Sequence, residues 1–262
     1  MKVLVCIKQV PDTAKVAIDE KTGSLMRGGV DSKINIYDLH ALETAFALKA
    51  RTGCTVTALS MGPPQAERAV REALALGADA GCLLSDRAFA GADVLATSYA
   101  LYQAVRKLGP FDLILCGKQT TDGDTAQVGP ALAEHLGIPH AACITRVLSA
   151  EDGAVVFEQD LTESLQEVRF PYPCLLTVEK GRESPRLPSY RRRKEFEAAD
   201  IRRLTLADLD DRDTARYGAE GSPTRVERIF PPPRNADSRV LTGDADTVAG
   251  ALADILAAQK FI

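Results

Sequence analysis

Apolar runs rich in β-branched residues recur at residues 3–7, 55–59, 80–84, 113–116 and 141–147. The stretches between them, 38–49, 65–76, 92–108 and 126–136, bring apolar residues back at helical spacing. The resulting order β-α-β-α-β-α-β-α-β predicts an α/β fold, a doubly wound and mostly parallel sheet with helices on both faces. The strands are nearly continuous in apolar residues, as burial on two faces requires.

Three departures modify this pattern. Residues 10–37 carry Val16-Ala17-Ile18 and Leu25-Met26-Arg27 around the turn-like Glu20-Lys21-Thr22-Gly23, which predicts a hairpin excursion before the first helix. Beyond Val147 the runs 155–159 and 165–170 alternate, and 174–178 follows; these read as antiparallel strands that finish the core or add an edge. From Ser184 the composition turns to proline and arginine (Pro185, Pro188, Arg191, Arg192, Arg193), and Pro231-Pro232-Pro233 interrupts again, so an extended C-terminal arm is expected rather than a second core. Val248, Leu252, Ile255 and Leu256 place a helix in 244–260 whose apolar face needs a surface, such as another subunit supplies.

At 262 residues one sizeable core is available, and a formal charge of -4 with 26% charged residues gives no reason to propose nucleic acid or a membrane as partner. The apolar stretch after Met1-Lys2 is too short for a signal peptide or a membrane span, so a cytoplasmic location and no direct membrane insertion are expected. Cys6, Cys54, Cys82, Cys116, Cys143 and Cys174 are scattered without C-x-x-C or His-Cys spacing. They read as reduced thiols inside apolar runs, and no metal site is expected. His40, His135 and His140 fall in helices or at a helix end and read as structural.

Ligands of an open parallel sheet bind beyond the carboxyl ends of its strands, where strand order reverses. The richest post-strand loop is Cys116-Gly117-Lys118-Gln119-Thr120-Thr121-Asp122-Gly123-Asp124-Thr125-Ala126-Gln127-Val128-Gly129-Pro130. Asp124 reads as a helix N-cap, and the N–H groups behind it, with the Thr125 hydroxyl and the helix dipole, form a cradle for phosphate. Gly117 and Gly123 let the backbone approach a nucleotide. Asp122 and Asp124 repel phosphate unless they are occupied as caps, face a ribose, or meet Lys118. A plain capped turn fits the same residues, since no G-x-G-x-x-G or Walker loop is present.

Val5-Cys6-Ile7-Lys8-Gln9-Val10-Pro11-Asp12, Ser60-Met61-Gly62-Pro63-Pro64 and Asp122-Gly123-Asp124-Thr125-Ala126-Gln127-Val128-Gly129 occur together and in order. So do Ala-Leu-Ala-Leu-Gly-Ala-Asp at 73–79, Pro173-Cys174-Leu175-Leu176-Thr177 and Gly221-Ser222-Pro223-Thr224. With these blocks the chain resembles the β subunit of electron-transfer flavoproteins over nearly its whole length. The resemblance implies a larger α subunit carrying the electron-transferring FAD, and AMP or a second FAD in this chain. The nucleotide-contacting positions it implies are Cys6, Asn35, Ile36, Tyr37, Asp38, Met61, Gly117, Lys118, Gln119, Thr120, Thr121, Asp122, Gly123, Asp124, Thr125, Ala126, Gln127 and Val128.

Asp86-Arg87-Ala88-Phe89-Ala90-Gly91-Ala92-Asp93, followed by Ala96-Thr97-Ser98, resembles the loop of bifurcating and nitrogen-fixation-associated members. In those, the β-subunit FAD accepts hydride from NADH and sends electrons to the α-subunit FAD and to ferredoxin or flavodoxin. Phe89, Ala90, Gly91, Ala92, Asp93 and Thr97 are then cofactor positions: the small residues leave room for a flat ring, the Thr97 and Ser98 hydroxyls lie near a helix start, and Arg87 is placed to neutralise a pyrophosphate. Val94 stands where many such members carry threonine. The other branch holds structural AMP and relays electrons from acyl-CoA dehydrogenases. In either branch the cofactors carry the chemistry, so no catalytic side chain is expected. The resemblance also implies a docking segment for a dehydrogenase or quinone oxidoreductase near 185–193, with Leu187 or Tyr190 as anchor and Arg191 beside it. Residues 1–183 are then the nucleotide-binding domain, and 184–262 an arm and helix packing on the α subunit.

Overall fold

The computed structural model describes residues 1–12, 32–151, 153–181, 184–227 and 239–262. They divide into two units, Met1–Glu227 and Arg228–Ile262. In chain order the first carries β1 (Lys2–Ile7), β2 (Gln9–Pro11), β3 (Ser32–Ile34), α1 (Ile36–Thr52), β4 (Thr55–Met61), α2 (Glu67–Leu76), β5 (Ala80–Leu84), α3 (Val94–Leu108) and β6 (Leu113–Gly117). Then come α4 (Val128–Leu136), β7 (His140–Glu151), β8 (Ala154–Asp160), β9 (Leu165–Pro171), β10 (Cys174–Val178), α5 (Tyr190–Phe196) and β11 (Arg202–Leu204).

Among the described residues nine strands form one sheet in the order β11-β5-β4-β1-β6-β10-β7-β8-β9. Pairing is parallel from β11 as far as β7 and antiparallel through β7, β8 and β9. Alternation along β1 shows why both faces are apolar. Val3, Val5 and Ile7 enter a core with Ala41, Leu42, Ala45 and Phe46 of α1 and Val70 of α2, whereas Leu4 enters the opposite core with Ala100 and Ala104 of α3 and Leu132 of α4.

The chain steps from β1 to β4 to β5, then returns across β1 to build β6 on its other side. The helix after β1 therefore lies on one face and the helix after β6 on the other, which opens a crevice between the carboxyl ends of these two strands.

β10 departs from the antiparallel expectation: it is parallel and lies between β6 and β7. All five of its residues are buried, which demands cover on both faces and both edges and therefore an interior place. β7 begins at His140 and runs past Val147 to Glu151, so His140 is a strand residue. Its first part pairs with β10 and the remainder with β8. The start and end of the expected hairpin excursion form a short antiparallel ribbon, β2 with β3. Val16-Ala17-Ile18, Leu25-Met26-Arg27 and Pro231-Pro232-Pro233 lie outside the described residues.

Residues 184–227 belong to the first unit rather than standing off as an arm. Arg186 grips Glu43 with two nitrogens, Nε at 2.9 Å and Nη2 at 2.7 Å, and its guanidinium lies 4.9 Å from the Phe46 ring centroid. Arg192 donates to the Leu74 and Ala75 carbonyls at the end of α2, at 2.9 and 3.1 Å. That is where the partial negative charge of a helix collects. β11 then adds to the sheet beside β5. The second unit contains α6 (Ala245–Ala258), capped by Asp244, which accepts from the Thr247 N–H at 2.9 Å. No residue of α6 is buried, and Leu252 is 48% exposed. No helix among the described residues is long and apolar enough to cross a membrane.

Candidate functional site

The crevice is knit by three short segments. Lys8, just past β1, donates its N–H to Asp38 at 2.7 Å, and its carbonyl accepts the Asn35 N–H at 2.9 Å. Asn35 stands before α1, where its side chain bridges to the loop after β6: Nδ2 donates to the Gln119 carbonyl at 2.8 Å and Oδ1 accepts the Thr121 N–H at 3.2 Å. Fully buried Asn35 is thus satisfied by the very loop it positions. Asp38 also takes the Gly117 N–H. Burial pushes its carboxyl up to about 7, against the hydrogen bonds from Asn35, Lys8 and Gly117 that pull it down.

Gly117 serves this knot before any ligand. A Cβ there would lie 2.7 Å from the Tyr37 carbonyl carbon and 2.8 Å from the Asp38 nitrogen, and closer still to Asp38 Oδ1. Gly123 is less crowded: the nearest atoms to its Cβ position are side-chain tips, Thr120 Oγ1 at 3.3 Å and Lys8 Nζ at 3.9 Å.

The charges of the loop pair differently from the sequence reading. Lys118 meets Glu179 at 2.6 Å, and Asp122 meets Lys8 at 2.8 Å. Asp124 takes the Gln119 amide at 2.5 Å and does not cap the helix. α4 begins at Val128, with Gln127 at the N-cap position and no side-chain cap. Asp124 and Ala126 sit at φ 53° and 55°, strained values for residues with a Cβ, and Gln127 returns to the right-handed region. Such alternation of hand turns successive N–H groups to one side as an anion-binding nest. Among the described residues the N–H groups of Thr125, Ala126, Gln127 and Val128 take no acceptor, and they lead into the N-terminus of α4. These N–H groups were expected behind an Asp124 cap; they stand at the start of α4 without that cap.

Cys6, Ile36, Tyr37 and Met61 also lie around the carboxyl ends of β1 and β4, with Ile36 44% exposed. The second block is arranged otherwise. Phe89 is buried against Tyr217, ring centroids 5.5 Å apart. Asp93 caps α3 through the Ala96 N–H at 3.1 Å and accepts Thr224 Oγ1 at 2.8 Å, while its own N–H donates to Ser222 Oγ at 2.8 Å. The Thr97 N–H is held within the first turn by the Asp93 carbonyl at 2.9 Å. Ala90 and Gly91 are exposed, as is Arg87, while Ala92, Asp93 and Thr97 are half-buried. Ser222 and Thr224, and Lys8 and Glu179, make side-chain contacts to these loops that sequence reasoning did not single out; the first three stand in blocks already quoted.

In residues 185–193, the segment expected to dock a partner, Leu187 is 89% and Tyr190 77% exposed, and Arg191 is exposed. Arg186 and Arg192 bolt the same segment to α1 and α2. Cys54, Cys82, Cys116 and Cys174 are buried free thiols; burial pushes Cys82 up to about 11 and Cys174 to about 12, which makes them inert. His40 is buried in α1, where burial lowers its pKa, and His135 packs between Tyr99 and Tyr102 at 5.6 and 5.7 Å.

A family profile described as "Electron transfer flavoprotein domain" matches residues 22–209. The chain is 43% identical over 272 aligned residues to the electron transfer flavoprotein subunit beta of Megasphaera elsdenii, covering 100% of both chains. It is 41% identical to Protein FixA of Bradyrhizobium diazoefficiens, over 97% of this chain and 90% of that one. To the caffeyl-CoA reductase-Etf complex subunit CarD of Acetobacterium woodii it is 39% identical over 100% of both. On this match and these relatives, and with a sheet whose strand order reverses between β1 and β6, the chain belongs to the electron transfer flavoprotein family, among the β subunits of the FixA and CarD kind.

Proposed function

We propose that the chain is the β subunit of a bifurcating electron-transfer flavoprotein, holding FAD with its adenine nucleotide end on residues 117–128 and its flavin end over Ala90, Gly91 and Ala92. The observation that carries this reading is the alternating-hand turn at Ala126 and Gln127, whose free N–H groups run into the start of α4. The two loops follow β6 and β5, three inter-strand steps apart in the sheet, or about 14 Å. A dinucleotide suits that span better than a mononucleotide.

Once bound, FAD supplies hydride acceptance from NADH and single-electron transfer, one electron to the α-subunit FAD and one to ferredoxin or flavodoxin. The protein binds and orients. Asn35 holds the loop that grips the phosphates, Cys6 and Met61 line the floor, and the Phe89–Tyr217 contact keeps the loop after β5 in place. No side chain is assigned acid–base work. Leu187, Tyr190 and Arg191 present a contact for a dehydrogenase or quinone oxidoreductase, and the unburied apolar residues of α6 suit the α subunit. The reading puts the protein in the cytoplasm.

A second reading keeps the family and replaces FAD by structural AMP, with electrons relayed from acyl-CoA dehydrogenases. It draws on Phe89 and Asp93, which are committed to internal contacts and leave the flavin end fewer free groups. Counting nucleotides released from the purified complex separates the two. Two FAD per heterodimer is the expected result; one FAD with one AMP overturns bifurcation in favour of the second reading.

A further inference from the structure

We propose that Lys8 is a positioning residue for the nucleotide loop, which it makes acceptable to phosphate by cancelling the charge of Asp122 and tying the loop's tip to the end of β1. The inference rests on the nucleotide reading above and adds a residue which that reading does not use.

A phosphate cradle with two carboxylates beside it needs compensation. The loop's own cation does not give it, because Lys118 is committed to Glu179 at 2.6 Å. Asp124 is engaged by the neutral amide of Gln119, which leaves its charge in place. The Asp122 side chain is 16% exposed, and Lys8 Nζ reaches it from 114 residues away at 2.8 Å. Burial pushes the Asp122 carboxyl up, and the Lys8 ammonium, together with hydrogen bonds from Thr120 and from the residue's own N–H, holds it below the usual range.

Lys8 is itself delivered from a fixed base, with its N–H on Asp38 and its carbonyl on Asn35. The ammonium stands 3.9 Å from the Cβ position of Gly123. The Lys8 side chain is 42% exposed, so the pair contributes little to folding stability; its effect falls on whatever anion sits in the cradle.

The test uses the full chain purified with its α subunit, stripped of nucleotide and titrated with AMP and, separately, with FAD. Lys8→Met is expected to weaken both by about 10- to 100-fold while the thermal midpoint scarcely moves. Asp122→Asn binds at least as tightly as the native protein, and Lys8→Met/Asp122→Asn recovers to within about threefold of it. The defect of Lys8→Met shrinks as salt is raised, because the uncompensated carboxylate is then screened. The reversed pair Lys8→Glu/Asp122→Lys gives a second reading should Lys8→Met fold poorly, and it too retains AMP. Native affinity in Lys8→Met overturns the inference. So does a double variant as weak as Lys8→Met, which would mean that Lys8 touches the phosphate directly. A native protein that takes up neither AMP nor FAD sinks the nucleotide reading, and this inference with it.

Discussion

Gly117→Ala should damage the fold, and Gly123→Ala should not. At Gly117 the new methyl would sit 2.7 and 2.8 Å from main-chain atoms of Tyr37 and Asp38, where ordinary contacts exceed 3.4 Å. Main chain cannot swing aside like a side-chain tip, so the start of α1 or the end of β6 must move by roughly 0.7 Å. Overpacking of this kind costs about 1–3 kcal/mol. The same movement disturbs the buried Asp38 carboxyl and the N–H groups of Lys8 and Gly117 that it satisfies, adding about 1–3 kcal/mol. Together these give about 2–6 kcal/mol. At Gly123 the closest atom is Thr120 Oγ1 at 3.3 Å, on a side chain that can rotate, so the cost stays below about 1 kcal/mol. Urea unfolding followed by circular dichroism measures both. A Gly117→Ala midpoint indistinguishable from native, or equal losses in the two variants, refutes the assignment of Gly117 to the knot between α1 and β6.

Gly123→Val is expected to expel the bound nucleotide, since its branched Cβ crowds the mouth of the cradle; unchanged nucleotide content argues against placing the ligand there. Asp38→Asn should change how stability depends on pH. Below about pH 4 the carboxyl is protonated in both the folded and unfolded chain; as pH rises toward 7 only the unfolded chain releases its proton, so the group's contribution is lost across that window. About 3 pKa units correspond to about 4 kcal/mol, which Asp38→Asn should regain relative to native between pH 4 and 7.5, over a constant offset from its mismatched amide. Parallel stability profiles for the two proteins would contradict this. Asp93→Ala removes the α3 cap and the tie to Thr224, and should cost about 1–2 kcal/mol and expose residues 218–227 to limited proteolysis, unless native cleavage kinetics persist.

Much of the sheet was legible because burial on two faces leaves a strong mark. Residues 80–84 form β5 with the expected bounds, and the helices after β1, β4, β5 and β6 fall where the periodicity put them. Direction was not legible for β10, since the residues of a fully buried strand look the same whichever way it runs. The return of residues 184–227 was hidden for a related reason. Arg186 and Arg192 bind through carboxylate and carbonyl partners that composition does not reveal, so a segment held on α1 and α2 read as an extended arm packing on another subunit. In the loop after β6, the wiring was not legible from its residues. Lys118 was the near cation in sequence, and Lys8 is the one that topology delivers to Asp122. Gly117 carries the same lesson, its missing Cβ making room for α1.

The late arrival of β10 in the middle of the sheet has a consequence for synthesis. As the polypeptide leaves the ribosome, β6 and β7 are made with a gap between them that only Cys174–Val178 fills, 61 residues after the partner that Cys174 meets in β6. Until then each has an open edge, a template for pairing with other nascent chains. The loop after β6 shares the delay, because the Lys118 N–H finds its acceptor only in Val178, and the Lys118 ammonium only in Glu179. Cofactor loading should therefore follow release of residue 179, and a transcript truncated at residue 173 should yield a chain with strands β1 to β9 all encoded, yet with its sheet in two pieces and its cradle unanchored.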